Sequence, residues 1–346
     1  MNKKQTLVWL IPLILLLLLI PFIVPSSISV AGAEADLPQY SPVILTNPHP
    51  GAVPTEEVPW NNQTREKVLY DPHADAYTRN ENGLPCAYQD GTIYVRIDER
   101  VIQNTRVMFT WVQIADPSQF RAQFYTPYPS EGKKYATEYA KRDRAVLTMN
   151  GDYCVGVRQG VVIRNGTEFR KVEPGRYDQL IVDDEGDFHI LRAPTLSDFE
   201  PYYGSILHSF VFGPALVING ELVDIGTEHD YVPNSTFKKK AQRQILCQMD
   251  KLSYLIITTE GPEQSKDGGF SLYDAAQLAY DCGAKQAYTM DGGSSTWLVL
   301  GTDRINNLKG RNLRQITDVV YFVTAEPDPA ATPESAAETA PAAETP

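Results

Sequence analysis

The sequence contains few histidines and cysteines, the side chains that most often bind zinc. Its 346 residues include five histidines and four cysteines, and neither type is grouped with the spacing of a zinc site. No Gly-x-Ser-x-Gly elbow and no Ser–His–Asp order is present. The sequence therefore gives no indication of a zinc enzyme or a serine hydrolase. It leaves a metal requirement and any cofactor unknown.

The chain also lacks a net positive charge: its 31 Lys and Arg residues are outnumbered by 43 Asp and Glu residues, and the formal net charge is −12. Nucleic-acid phosphates require a basic protein surface, so nucleic acid is excluded as an expected partner. A small anionic substrate needs only a local group of Arg or Lys side chains, and the net charge does not exclude one. The oligomeric state is not indicated by the sequence.

The N-terminus has the pattern of a targeting segment. Lys3 and Lys4 precede an apolar run from Leu7 to Val24, and Ala31-Gly32-Ala33 matches a signal cleavage site. The run is near the lower length limit for spanning a bilayer, so an uncleaved anchor is an open alternative. We expect residues 1–33 to be a signal peptide or membrane anchor, and the remainder to be extracytoplasmic, secreted or anchored. Membrane contact is expected only through this segment.

Outside the cytoplasm, disulfides are permitted among Cys86, Cys154, Cys247 and Cys282. Three pairings into two disulfides exist, and the sequence does not choose between them. The alternative is that the thiols are free and pack as small hydrophobic side chains. Both interpretations stay open at this point.

Composition divides the rest of the chain into three parts. Residues 34–90 are rich in proline and polar residues and are predicted to be a linker and N-terminal extension. Residues 91–325 contain the alternating apolar patterns of a globular domain. Residues 326–346 consist almost entirely of Ala, Pro, Glu and Thr, which predicts a disordered tail.

Within the domain, many short apolar runs are typical of strands, and two segments are typical of helices. One helix is predicted over 135–142, and Ser271 is expected to cap a second that ends near Gly283. The fold class expected from this pattern is α+β, a single mixed domain of many short strands with few helices. Predicted strands cover residues 92–97, 107–114, 120–124, 145–149, 160–163, 179–182, 188–191, 209–211, 214–218, 253–258, 287–290 and 318–324.

One stretch, Ala287 to Leu300, combines a buried strand, the turn Asp291-Gly292-Gly293, several hydroxyls and a second strand. Glycines without a Cβ allow another group to approach the backbone closely. A carboxylate at a strand end beside bare amides and hydroxyls can contact a polar ligand from several sides. The alternative is an ordinary Asp-Gly hairpin turn.

Three other polar stretches interrupt apolar strands in a similar way. Asn150-Gly151 follows a buried strand, and Gly213-Pro214 begins a strand that ends at Asn219-Gly220. Arg243 and Glu260-Gly261 flank a strand pair. The Asp291 stretch itself is followed by Asn306 and Arg314 before the last strand. Asn-Gly is a strong hairpin signal, so turns and surface charges are the competing interpretation.

Taken together and in this order, these stretches resemble the phosphodiester glycosidase family over residues 145–324. The order and spacing are more specific than any single motif. The sequence departs from the family pattern at four positions: Gln244, Glu260, Pro262 and Ser294.

The resemblance implies a hydrolase that cleaves a sugar-1-phosphodiester at the glycosidic side, with a glycan or GlcNAc-1-phosphodiester-like partner as substrate. It releases free sugar and a phosphomonoester. The alternative is a non-catalytic glycan-binding or envelope-associated protein with the same fold. Implied catalytic residues are Asp291, Glu260 and Arg243. Implied substrate-binding residues are Asn150, Gly151, Gly292, Gly293, Ser294, Ser295, Thr296, Asn306 and Arg314.

Overall fold

The structure, a computed structural model, describes residues 37–41, 74–226, 237–262, 264–307 and 314–326. The predicted signal or anchor segment, most of the predicted linker and nearly all of the predicted tail lie outside these residues. Among the described residues, no helix is both long and apolar enough to cross a membrane.

Nineteen strands and two α-helices form the described part of the chain. The helices are α1 (Ala136–Arg142) and α2 (Leu272–Asp281). The strands are β1 (Tyr77–Arg79), β2 (Pro85–Gln89), β3 (Ile93–Ile102), β4 (Thr105–Ile114), β5 (Phe120–Phe124), β6 (Leu147–Asn150), β7 (Val161–Arg164), β8 (Thr167–Lys171), β9 (Gln179–Asp183), β10 (Phe188–Leu191), β11 (Ile206–Val211), β12 (Ala215–Ile218), β13 (Glu221–Leu222), β14 (Gln244–Asp250), β15 (Ser253–Thr259), β16 (Gln286–Thr289), β17 (Leu298–Leu300), β18 (Asp303–Arg304) and β19 (Asp318–Phe322).

These strands form three antiparallel sheets. The largest has nine strands in the order β1-β2-β3-β4-β15-β14-β16-β12-β13. A second has the order β10-β9-β11-β7-β8, and a third has the order β18-β17-β6-β19-β5. Strand accounts for 41% of the structure, so the fold is richer in β structure than the predicted α+β class. The few helices were predicted correctly, but the sheets dominate.

One hydrophobic core joins all three sheets. The nine-stranded sheet contributes Leu246 and Ile256, the third sheet contributes Met149 and Val320, and the second contributes Leu180. Strands β14 and β15 are buried along nearly their whole length. In β15 this matches a continuous apolar run, whereas β14 buries the polar Gln244 and Gln248 and was not among the predicted strands. The core therefore fixes the sheets against one another.

Two features at the start of the domain differ from prediction. Strands β1 and β2 lie inside the segment predicted to be a linker and N-terminal extension, and β2 pairs with β3. The large sheet thus begins before the predicted boundary at residue 91. Short strands at a sheet edge bury little surface, so their sequences show little apolar alternation.

Helix α2 begins and ends where the sequence indicates. The Ser271 Oγ accepts a hydrogen bond from the Asp274 amide at 3.1 Å, and the Asp274 carboxylate accepts one from the Ser271 amide at 3.0 Å. Gly283 ends the helix with a φ of +79°. Strand β16 follows directly, so the helix leads the chain into the Asp291 turn.

All four cysteines are free, which decides between the two open interpretations. Cys154, Cys247 and Cys282 are buried and pack as small hydrophobic side chains. Burial raises the pKa of all three thiols, so they stay protonated at neutral pH.

Truncating a side chain in the shared core tests how much stability the joined sheets provide. Ile256→Ala removes a fully buried side chain from the central strand β15 and is expected to lower the free energy of unfolding by about 2–5 kcal/mol. The matched control is Val101→Ala at a side chain that is 78% exposed, where the change should be within about 0.5 kcal/mol. Urea unfolding of both variants measures the difference, and equal losses would contradict a single shared core.

Candidate active site

The Asp291 turn lies where the nine-stranded sheet meets the third sheet. Strand β16, before the turn, belongs to the nine-stranded sheet, whereas β17, after the turn, pairs with β6 in the third sheet. The two strands are not hydrogen-bonded neighbours, so the Asp-Gly hairpin interpretation is wrong here. The turn instead carries the chain from one sheet to the other.

Asn150-Gly151, at the end of β6, holds the backbone of Asp291 from both sides. The Asn150 Nδ2 donates to the Asp291 carbonyl at 2.6 Å, and the Asp291 amide donates to the Gly151 carbonyl at 3.2 Å. The Asn150 Oδ1 accepts from the Trp297 amide at 3.0 Å. All the polar atoms of this buried amide are used within the protein, so Asn150 fixes the position of Asp291.

The two glycines of the turn are required for different reasons. A Cβ on Gly292 would lie 2.9 Å from the Gln242 carbonyl oxygen, so the backbone there is too close to the segment before β14 for a side chain. Gly293 has a φ of +60°, in the left-handed region. A short 3₁₀ turn over Gly293–Ser295 follows and brings the Ser295 hydroxyl back toward Asp291.

The Asp291 carboxyl group is largely enclosed. Its Oδ1 accepts from the Gly292 amide at 2.8 Å, and its side chain is hydrogen-bonded to that of Ser295. Burial raises the pKa of Asp291, while these hydrogen bonds and the charge of Arg314 lower it and Asp152 raises it further. The net shift is upward.

A small pocket that opens to solvent lies beside this carboxyl group. Five residues predicted for the site are brought together in its lining, namely Asn150, Gly151, Asp291, Ser295 and Arg314. The lining also includes three charged or aromatic residues that were not predicted for the site: Lys133, Tyr153 and Asp318.

Arg314 is the exposed guanidinium of the pocket. The Trp297 Nε1 donates to the Arg314 carbonyl at 2.9 Å and so anchors its backbone. Its Cζ lies 5.9 Å from the centre of the Tyr153 ring. The side chain is therefore attached to a fixed backbone and borders the same space as Asp291.

Two residues predicted to be catalytic do not line this pocket. The Arg243 Nε donates to the Phe270 carbonyl at 2.9 Å, and its Nη2 donates to the Lys239 carbonyl at 2.6 Å. The Glu260 carboxylate accepts from Arg106 at 2.9 Å and from the Asn307 amide at 3.1 Å. The Arg243 and Glu260 side chains are both held by contacts within the protein.

The other predicted binding residues support the turn. The Asn306 side chain accepts from the Leu298 amide and donates to the Thr296 carbonyl, both at 2.8 Å. Thr296 is fully buried, and Ser294 is half-buried. With Gly292 and Gly293 these residues shape the segment after Asp291, and none of them lines the pocket.

The structure adds a second carboxyl group that sequence reasoning missed. Asp318 begins β19, lines the pocket and lies so close to Gly151 that a Cβ there would be 1.7 Å from the Asp318 Oδ2. The available signal was an acidic residue at the start of an otherwise apolar strand. Such a residue is usually solvent-exposed, whereas Asp318 is 2% exposed.

Asp152, Cys154 and Asp318 have donor atoms within 4.8 Å of one another, an arrangement that could be mistaken for a cation site. The Arg164 guanidinium already lies 2.7 Å from Asp152 and 3.9 Å from Asp318. A fixed positive charge thus occupies the position a metal ion would take, and the donor set does not fit a metal.

Comparisons with known proteins identify one family and a shared fold. Residues 143–323, just over half of the chain, match the phosphodiester glycosidase family. The fold is similar to the catalytic domain of zebrafish N-acetylglucosamine-1-phosphodiester alpha-N-acetylglucosaminidase auto-inhibited by its pro-peptide. That match has a TM-score of 0.55 and 15% identity over 74% of this chain and 87% of the other.

A hypothetical protein from Synechocystis also shares the fold, with a TM-score of 0.51 and 13% identity over 67% of this chain and 62% of the other. No curated protein sequence matches the chain. At these identities the structural matches establish the fold alone.

The close approach at Gly151 can be tested by adding a methyl group. Gly151→Ala should lower the free energy of unfolding by about 1–3 kcal/mol, because the new Cβ overlaps the Asp318 carboxyl group. Gly204→Ala is the matched control, since a Cβ there meets nothing within 4 Å. Thermal unfolding followed by circular dichroism compares the two, and an unchanged Gly151→Ala protein would show that the junction tolerates displacement.

Proposed function

The chain is a member of the phosphodiester glycosidase family, and we propose that it hydrolyses a sugar-1-phosphodiester at the glycosidic bond. The bond between the anomeric carbon and the phosphate oxygen breaks. Water supplies the hydroxyl of the free sugar and the proton of the phosphomonoester. The observation that carries this proposal is that the Asp291 carboxyl group and the Arg314 guanidinium border one pocket.

Arg314 is suited to hold the phosphodiester. A guanidinium presents several donors in a plane, and they match two phosphate oxygens. Lys133 lies in the same lining and adds a second positive charge. The Arg314 side chain is exposed, so it can reach a ligand that enters from solvent.

Asp291 is suited to stabilise the sugar as the bond breaks. Glycosyl transfer proceeds through an oxocarbenium-like state, whose positive charge a nearby carboxylate stabilises. The contacts from Asn150, Gly151, Gly292 and Ser295 hold this carboxyl group in one orientation before substrate binds. The phosphate leaving group is a weak base and needs little help from an acid.

A substrate can approach Asp291 and Arg314 from solvent, because the small pocket that they line is open. The zebrafish enzyme acts on N-acetylglucosamine-1-phosphodiesters, which makes this sugar the first substrate to test. The N-terminal targeting pattern supports an extracytoplasmic glycan as its source.

Neutralising Asp291 should abolish most of the activity. Asp291→Asn is expected to lower kcat on a chromogenic GlcNAc-1-phosphodiester by roughly 100- to 10,000-fold, because the amide cannot stabilise the developing positive charge. Asp303→Asn, at a partly exposed carboxylate paired with Arg79, is the control and should retain activity. Free sugar is measured as the product, and full activity of Asp291→Asn would remove this residue from the mechanism.

The two arginines should differ in their effect on substrate binding. Arg314→Ala is expected to raise KM roughly tenfold to a hundredfold, since a charged hydrogen bond contributes about 1.5–3 kcal/mol. Arg243→Ala should change KM less and mainly reduce stability, because its guanidinium is bonded to two backbone carbonyls. Steady-state kinetics and urea unfolding of both variants distinguish the roles. A larger KM effect for Arg243→Ala would reverse the assignment.

Binding and product assays on the same protein distinguish the alternative function, which is glycan binding without catalysis. Binding of a GlcNAc phosphodiester without release of sugar would support a binding protein. Release of a sugar phosphate instead of free sugar would indicate cleavage on the phosphorus side. Release of free sugar that depends on Asp291 supports the proposed hydrolase.

A further inference from the structure

A buried charge cluster lies directly behind the pocket and has no part in the reaction described above. It consists of Asp152, Arg164 and Asp318, and each side chain is at most 2% exposed. The Arg164 Nη2 lies 2.7 Å from the Asp152 Oδ1 and 3.9 Å from the Asp318 Oδ2. Two carboxyl groups thus share one guanidinium, and the cluster would carry a charge of −1 if both were ionised.

Hydrogen bonds account for the carboxyl oxygens of both acids. The Asp152 Oδ2 accepts from the Val211 amide at 2.6 Å, and the Asp318 Oδ2 accepts from the Asp152 amide at 2.9 Å. The Thr317 hydroxyl donates to the Asp318 Oδ1 at 2.8 Å. None of these contacts brings a second positive charge, so the excess negative charge is not balanced by them.

The two carboxyl groups lie close together, because donor atoms of Asp152 and Asp318 are within 4.8 Å of each other. Two ionised carboxylates at this separation repel each other, and one proton held by the pair removes that repulsion. With that proton the cluster is electrically neutral, and an uncompensated buried charge is avoided. Burial, and next the negative charge of Asp152, raise the pKa of Asp318 to about 8, against the opposing effect of Arg164.

The neighbouring elements add few charges that could change this balance. Burial raises the pKa of Tyr139 and Cys154 and lowers that of His208 to about 3, so these three groups are uncharged at neutral pH. The Arg170 guanidinium donates to the Cys154 carbonyl at 2.8 Å. On the pocket side the charged groups are Lys133, Asp291 and Arg314.

We propose, on the premise of the phosphodiester reaction above, that Asp318 is a positioning residue that holds this proton. The cluster of Asp152, Arg164 and Asp318, which forms the floor of the pocket, is then neutral and does not repel an anionic substrate. Loss of the proton would place a second negative charge near Asp291 and below the bound phosphodiester. That charge would repel the substrate, and would oppose the further negative charge that develops on the departing phosphate. The pocket therefore accepts the anion while Asp318 is protonated and rejects it in mild alkali.

The proton itself is tested by unfolding, without any substrate. Unfolded Asp318 releases its proton near the ordinary pKa of 3.8, whereas the folded protein keeps it to about pH 8. Between these values the wild-type protein therefore loses stability, relative to Asp318→Asn, by tenfold in the unfolding equilibrium constant per pH unit. Below pH 3.8 and above about pH 8, the stability of the wild-type protein relative to Asp318→Asn no longer changes with pH.

Urea unfolding of wild type, Asp318→Asn and the control Asp303→Asn from pH 5 to pH 9 measures this effect. Asparagine keeps the shape of the protonated side chain and can donate to Asp152, so the variant is expected to fold. The control should follow the wild-type pH dependence. Equal pH dependence in wild type and Asp318→Asn would overturn the proposal, whatever the protein's activity.

The effect on the substrate is tested by the pH dependence of KM. With a phosphodiester whose charge stays at −1, wild-type KM should rise about tenfold between pH 7 and pH 9. The KM of Asp318→Asn should stay flat over this range, whatever its absolute value. The KM of Asp152→Asn should also stay flat over this range. In that variant the single Asp318 carboxylate is balanced by the single Arg164 guanidinium.

A wild-type KM that does not rise, or one that rises equally in Asp318→Asn, would overturn the role of the proton in substrate binding. Failure of the wild-type protein to cleave any phosphodiester would reject the proposed function instead. The unfolding comparison still decides, in that case, whether Asp318 holds a proton.

Discussion

The candidate site depends on the hydrogen bonds by which Asn150 and Gly151 hold the backbone of Asp291. Asn150 donates to the Asp291 carbonyl, and Gly151 accepts from the Asp291 amide. The two strands involved, β6 and β16, belong to different sheets. The same contacts therefore join the sheets and orient the carboxyl group, so the position of the acid is as rigid as the core beneath it.

Close packing at this junction limits which side chains can be present. Gly151 leaves room for the Asp318 carboxyl group, and Gly292 leaves room for the backbone carbonyl of Gln242. A polar group brought this deep into the protein must be paired or neutral. Asp318 satisfies that requirement through Asp152, Thr317 and a retained proton, and the electrostatics of the pocket floor follow from its packing.

The charged residues of the chain separate into those that face the pocket and those that support the fold. Arg314 borders the pocket, whereas Arg243 and Glu260 are bonded to nearby carbonyls and to Arg106. Their residue types alone do not distinguish these roles, since a guanidinium binds a backbone carbonyl and a phosphate with the same donors. Only the direction of each side chain separates a ligand contact from a structural one.

The family, most strands and helix α2 with its Ser271 cap were predictable from the amino-acid sequence. Those features are local, because strand periodicity, capping and glycine turns are encoded over a few consecutive residues. The tertiary structure alone decided that the turn joins two sheets, that the cysteines are free and that Asp318 lies beside Gly151. These depend on contacts between residues distant in the chain, as between Asp318 and Asp152, and no local pattern specifies them.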